Sequence, residues 1–412
     1  MGIRLRSGHS KDAMKRFVYL KDVIITSVIF IFMLGLSFIP VNCKFLSPIA
    51  TALGDFDVYD IAYSKLLETQ PVDTNIVLVN IGNLDRGELA DLISVLNKCQ
   101  PAVVGIDVFF NVEKDPASDS LLSSSLAGCR SLVMVSKLDQ YDEEKKTYRS
   151  LHLSIPLFSR YAETGFANLP NDDEESFRTI RDFRPTAKNN HSTVPAFAVK
   201  IAGFYKPASL HTLFERQKEL EKINFRGNYN CFYFIDTYQY FEPEADFSFI
   251  KNKIVLLGYM GPDLNTKSLE DIFFTPLNER YAGKSFPDMY GVVVHANIVS
   301  MIINGSFVNV MPSWLSSLLA VIITFFNVKV LLYLKSRYKD WFSGLTKIFI
   351  LIYTILNLFL SVEILHYLNY RISLTTAMIA IVLTNTSIEF YHNYLIKLQN
   401  KITKLVRKNE ND

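Results

Sequence analysis

Asp107 stands inside an otherwise apolar run, Ala102-Val103-Val104-Gly105-Ile106-Asp107-Val108-Phe109-Phe110. A carboxylate taken out of water needs a partner, so Asp107 either receives a ligand or metal or holds a neighbouring loop through backbone N–H groups. A second apolar run, Ile76 to Ile81, carries Asn80 and is followed by Gly82 and Asn83; a third, Lys253 to Leu257, is followed by Gly258. If these runs are parallel strands, the five residues gather at their carboxyl ends, where open α/β sheets hold ligands. Catalytic signatures are missing. Gly258-Tyr259-Met260-Gly261 follows a strand but no Lys-Ser/Thr pair comes after it to hold a phosphate, and the sequence has neither a G-x-S-x-G elbow nor an H-E-x-x-H helix. The acidic run Asp172-Asp173-Glu174-Glu175 lacks the alternating ligands of a calcium loop and reads as a solvated turn. The chain therefore reads as a binding protein, not an enzyme, with no cofactor and no resident metal.

The elements that must position these residues follow from periodicity. Ile76–Ile81 reads as a buried strand, and Leu84–Leu96 as a helix whose apolar face is Leu89, Leu92, Ile93 and Leu96. Pro101 ends that helix, and Ala102–Phe110 is the next strand. Asp119 is expected to cap a helix running to Leu126, with Gly128 as its stop, before a strand at Leu132–Val135. A helix at Pro195–Phe204 and strands at Cys231–Ile235 and Lys253–Leu257 extend the pattern. Continuously apolar strands separated by helices predict an α/β fold, a mostly parallel sheet covered by helices on both faces. Residues 137–193 are polar and poorly patterned, which suits excursions or a small antiparallel edge.

Hydropathy divides the chain more coarsely. Residues 23–41 and three stretches within 313–390 are apolar over about the 20 residues needed to cross a bilayer core, predicting four transmembrane helices, one N-terminal and three C-terminal. Lys and Arg crowd the arm 1–22, the segment Lys335 to Lys347 and the tail 391–412, whereas His366–Arg371 carries a single Arg. Basic flanks resist translocation, so both termini are expected in the cytoplasm and residues 42–312 outside. A cleaved signal peptide or a lipid anchor at Cys43 is the alternative for the first span, although no A-x-A site follows it and Asn42 is not the small residue a lipidated Cys requires. A net charge of +2 gives no field for nucleic acid.

All four cysteines, Cys43, Cys99, Cys129 and Cys231, fall in the external part, where disulfides persist. Cys99 and Cys129 each lie between a helix end and the next strand, at one edge of the sheet. Either they form a disulfide or they are two buried free thiols. Cys43 with Cys231 has no geometric support.

The order of several segments resembles the CHASE type-two (CHASE2) domain, an extracellular sensory domain associated with bacterial histidine kinases, cyclases and serine/threonine kinases. The matching pieces are Asp57-Val58-Tyr59-Asp60, the Ile76 and Ala102 runs, Asp119-Ser120-Leu121-Leu122, Gly165-Phe166-Ala167-Asn168 and Lys253 to Gly258. They continue with Asp271-Ile272-Phe273-Phe274-Thr275-Pro276, Gly291-Val292-Val293-Val294-His295-Ala296 and Ile303-Asn304-Gly305. Two further candidates, Asp271 and His295, come from these motifs and can converge on Asp107, although a lone His on an apolar helix is more often a satisfied core residue. The family usually carries an acidic pair where this chain has Gly82-Asn83, and it usually places a kinase or cyclase after the last span, where about 20 residues remain here. In that tail Ile388, Tyr391, Leu395, Leu398, Ile402 and Leu405 keep coiled-coil spacing; an amphipathic helix lying on anionic lipid is the other reading. The resemblance implies a bacterial inner-membrane sensor whose external domain binds a ligand or envelope component and whose helices relay to a second copy or a separate membrane or cytoplasmic partner. A docking subunit of an envelope or transport complex is the alternative.

Overall fold

The computed structural model describes residues 22–35, 58–66, 70–170, 179–190, 192–237, 239–242, 244–266, 268–278, 286–338, 341–372, 375–395 and 397. The expectations for the basic arm, for Cys43, for Asp172 to Glu175 and for the heptad positions Leu398, Ile402 and Leu405 lie outside these residues. The chain forms two compact units, Thr51–Val308 and Met1–Ala50 with Asn309–Asp412.

The first unit is built on a nine-stranded sheet. Its strands are β1 (Asp73–Asn80), β2 (Val103–Ile106), β3 (Leu132–Asp142), β4 (Thr147–His152), β5 (Glu163–Phe166), β6 (Thr186–Asn189), β7 (Ser192–Pro195), β8 (Phe232–Ile235) and β9 (Ile254–Gly258). Their order is β8-β1-β9-β2-β3-β4-β6-β7, with β5 also paired to β3. Strands β8, β1, β9, β2, β3 and β5 run parallel. The poorly patterned segment supplies two antiparallel hairpins, β3–β4 and β6–β7, so an antiparallel edge continues a parallel core.

Five helices cover this sheet: α1 (Arg86–Lys98), α2 (Pro116–Ala127), α3 (Phe197–Tyr205), α4 (Ala208–Glu215) and α5 (Gly291–Asn304). Alternation along the strands sorts their side chains into two cores. Ile76, Leu78, Val103, Val133, Ile254 and Leu256 face one side with residues of α3, α4 and α5, while Val77, Val79, Val104, Ile106, Val255 and Leu257 face the other with α1 and α2. These twelve are almost wholly buried, each worth about 1.5–3 kcal/mol of transfer free energy. Helix α1 starts where Asp85 accepts from the Glu88 N–H at 2.9 Å and Glu88 accepts from the Asp85 N–H, a capping box.

Two expectations change in this unit. Helix α2 is capped by Asp115, not Asp119, because Asp115 precedes Pro116 at the first helical position and accepts from the Ser118 N–H. Asp119 lies inside the helix, paired with Arg86 and accepting from the Lys114 N–H. Strands β2 and β3 are neighbours, as the cysteine positions required, yet Cys99 and Cys129 are free thiols. Each turns back onto its own helix, Cys99 Sγ toward the Val95 carbonyl at 3.6 Å and Cys129 Sγ toward that of Ser125 at 3.7 Å.

In the second unit two helices are long and apolar enough to cross a membrane, α6 (Ser313–Arg337) and α7 (Phe342–Leu368). Among the described residues, two such helices stand where four spans were expected. The described helix at Asp22–Gly35 is shorter, and α8 (Thr375–Phe390) has 16 residues and runs on into a π-helix at Tyr391–Leu395. Ahead of α8, Tyr370–Arg371 pairs as a strand with Asn309–Val310. Both shorter helices pack with α6, bringing Ile25, Ile29, Val328, Leu331, Ala380 and Ile388 into one apolar cluster.

Candidate functional site

Where the parallel strands end, the chain leaves a crevice of about 450 Å³, within the range of small-molecule sites. Its walls come from the turns that follow β1, β2, β9 and β5, from Lys137 on β3, from the Glu270–Phe273 segment and from the start of α5. Of the seven residues expected to gather here, Gly82, Asn83, Asp107, Asp271 and His295 line it, although Asp271 and His295 are far from the others in sequence.

Asn80 and Gly258 have structural roles instead. Asn80 is fully buried and saturated: its Nδ2 donates to Asp236 Oδ1 at 2.9 Å and to the Gly261 carbonyl at 3.1 Å, and its Oδ1 accepts from the Gly82 and Met260 N–H groups. It ties the ends of β1, β8 and β9 together and has no lone pair or proton left for a ligand. Gly258 lets α5 approach β9, since a Cβ there would lie 2.6 Å from the Val292 Cβ.

Asp107 directly follows β2, its N–H donating to the Leu257 carbonyl at 2.8 Å. No hydrogen bond to its carboxylate is made among the described residues, and it is half-buried. Desolvation in the crevice wall pushes this carboxyl up, to about 7. Near neutrality it is close to half-charged, which is unusual for an acid and common at functional sites.

His295 sits one helical turn after Gly291, on the same side of α5. It is 4% exposed and packs edge-to-face on Phe197, ring centres 5.3 Å apart. Its buried Nδ1 has no hydrogen-bond partner among the described residues. Burial lowers it to about 4, so the ring is neutral at physiological pH. Asp271 has left-handed backbone, φ 51°. Its carbonyl accepts from the Gly291 N–H at 2.9 Å, and both its carboxylate oxygens lie within 2.9 Å of where a Cβ on Gly291 would be. The Asp271 carboxylate thus rests on the first turn of α5, where the helix dipole favours it.

Phe109, Lys137, Asn168, Tyr259, Glu270 and Phe273 also line the crevice and were not singled out from the sequence. Tyr259 was passed over because only Gly258 was taken at the end of β9. Asn168 belongs to a segment with a recognisable motif, but its amide is spent on the Leu138 backbone, donating at 2.9 Å and accepting at 2.7 Å. Lys137 lies in the segment without periodicity, so nothing local marked it. Among the described residues no group of three or more His, Cys, Asp and Glu is placed to hold a metal ion.

The family model described as the CHASE2 domain matches residues 49–332. No curated protein and no solved structure matches the chain.

Proposed function

The chain belongs to the CHASE2 domain family, a family of extracellular sensory domains, and from that premise we propose that it is a bacterial membrane sensor whose external unit binds a small ligand in the crevice at Asp107 and His295. The observation that carries this reading is that two crevice-lining residues carry unusual polar groups: the half-buried Asp107 carboxylate, raised by desolvation, and His295, whose buried Nδ1 has no hydrogen-bond partner among the described residues. A fold that wanted only stability would pair such groups or replace them with apolar ones.

In this reading the Thr51–Val308 unit lies outside the cell, the basic segment Lys335 to Lys347 lies in the cytoplasm, and ligand occupancy passes through α6 and α7 to a second copy or a separate receiver. Binding, not catalysis, is the output. The test is a tethered occupant. In a chain whose four cysteines are replaced by alanine, Asn83→Cys is alkylated with a bulky maleimide, and hydrogen exchange is measured across α6 and α7. Exchange there changes when Asn83→Cys is filled and stays constant when exposed Ser192→Cys is modified; no change at either site rejects the sensor.

One observation favours the docking alternative. Tyr233 and Phe234 on the edge strand β8, with Phe249 beside Tyr233, are exposed around a hollow of about 400 Å³. Exposed aromatics on an open sheet edge suit a protein partner. If so, Tyr233→Ala with Phe234→Ala releases that partner and leaves the crevice unaffected.

A further inference from the structure

The lining of the crevice also narrows the ligand, on the reading that the crevice is the sensory site. Its charged groups among the described residues are Asp107 just after β2, Asp271 and Glu270 from the segment before α5, and Lys137 from β3. Three carboxylates against one ammonium disfavour an anionic ligand. A bare divalent ion is disfavoured too, since among the described residues no three acidic, His or Cys groups are placed to hold one. What the crevice does offer, among the described residues, is the half-buried Asp107 carboxylate raised by desolvation, a neutral imidazole whose Nδ1 has no partner and the aromatic rings of Phe109, Tyr259 and Phe273.

We propose that the crevice takes an organic cation, a small molecule carrying a primary ammonium group, with Asp107 as its counter-ion and His295 Nδ1 as a second acceptor. An ammonium has three N–H donors and no acceptor, which suits these two groups. The alkyl part of the ligand packs on the aromatic rings, whose faces also attract the cation. No covalent step is involved: the ligand enters charged, and the fraction of Asp107 that carries a proton gives it to solvent. Lys137 and His295 do not reverse this, because Lys137 is exposed and His295 stays neutral above about pH 5.

The experiment is calorimetric titration of the full chain in detergent with n-butylamine and 1,4-diaminobutane, in buffers of different ionisation heat, with calcium chloride and sodium phosphate as comparators. One amine binds per chain, about tenfold more weakly at pH 6 than at pH 8, with release of about half a proton at pH 7, as follows from an acid titrating near 7. Asp107→Asn, checked for folding by circular dichroism, weakens binding at least about tenfold, the loss expected of a charge-assisted hydrogen bond, and removes the pH dependence. His295→Gln weakens it while keeping the pH dependence. No amine binding, equal binding by Asp107→Asn, or preference for calcium or phosphate overturns the proposal. If amines fail while the tethered occupant still alters α6 and α7, the ligand class falls and the sensory reading stands.

Discussion

Replacing Asp107 by Asn should make the external unit more stable at neutral and alkaline pH. The folded carboxyl titrates near 7 and the unfolded one near 3.8, so the folded state binds the proton more tightly. Stability is therefore lost as pH rises from about 4 to about 7, and the loss is complete above that range. Three units at about 1.4 kcal/mol each would be about 4 kcal/mol. Asp107 is half-buried in a crevice open to solvent, and screening reduces this to about 2 kcal/mol. Asn keeps the shape without the charge and recovers that amount, about 4–8 °C in Tm for a unit of this size. Both tryptophans, Trp314 and Trp341, lie in the other unit, so unfolding is best followed by the near-ultraviolet dichroism of tyrosine. The variant gains at pH 8 and its advantage vanishes by pH 4. A variant no more stable than the parent at pH 8, or a gain that is the same at both pH values, would refute the reasoning, because Asp107 would then have a protein partner.

His295 has the opposite linkage. Its folded state resists protonation, so stability is lost as pH falls from about 6.5 to about 4, by about 3 kcal/mol, and His295→Gln should flatten that acid limb in a denaturant titration. In Asp107→Asn the same limb should steepen, since the compensating gain from Asp107 is gone. Gly258→Ala forces a Cβ to within 2.6 Å of Val292 and should cost about 1–3 kcal/mol by overpacking, seen as a lowered denaturation midpoint with unchanged slope. Cys99 and Cys129 should both react with iodoacetamide in the denatured, unreduced chain and show no mass change on reduction.

How far the sequence carried the reading depends on how local each signal was. Helix α1 was legible because its apolar face and the Pro101 that ends it lie close together in the sequence, although its Asp85 cap was not read there. The candidate crevice was legible because parallel strands put their carboxyl ends together, and Gly82, Asn83 and Asp107 each follow such an end. Asn80 looked equally available and is not, since its partners Asp236 and Met260 are more than 150 residues away and no local pattern reveals them. Asp119 was mistaken for a cap because Asp115 and Asp119 are one helical turn apart, and only the pairing with Arg86 separates their roles. Hydropathy led to four expected spans, whereas two helices among the described residues are long and apolar enough to cross a membrane. Helix α5 has a sequence almost as apolar as a span, yet it is a core helix, with every residue from Gly291 to Ile303 buried.

The most direct measurement is an electron cryomicroscopy map of the full chain purified from the membrane in which it is made. The account predicts non-protein density in the crevice, within hydrogen-bond distance of the Asp107 carboxylate and of His295 Nδ1. An Asp107 carboxylate closed onto a protein donor, with the crevice filled by the chain's own side chains, would contradict it.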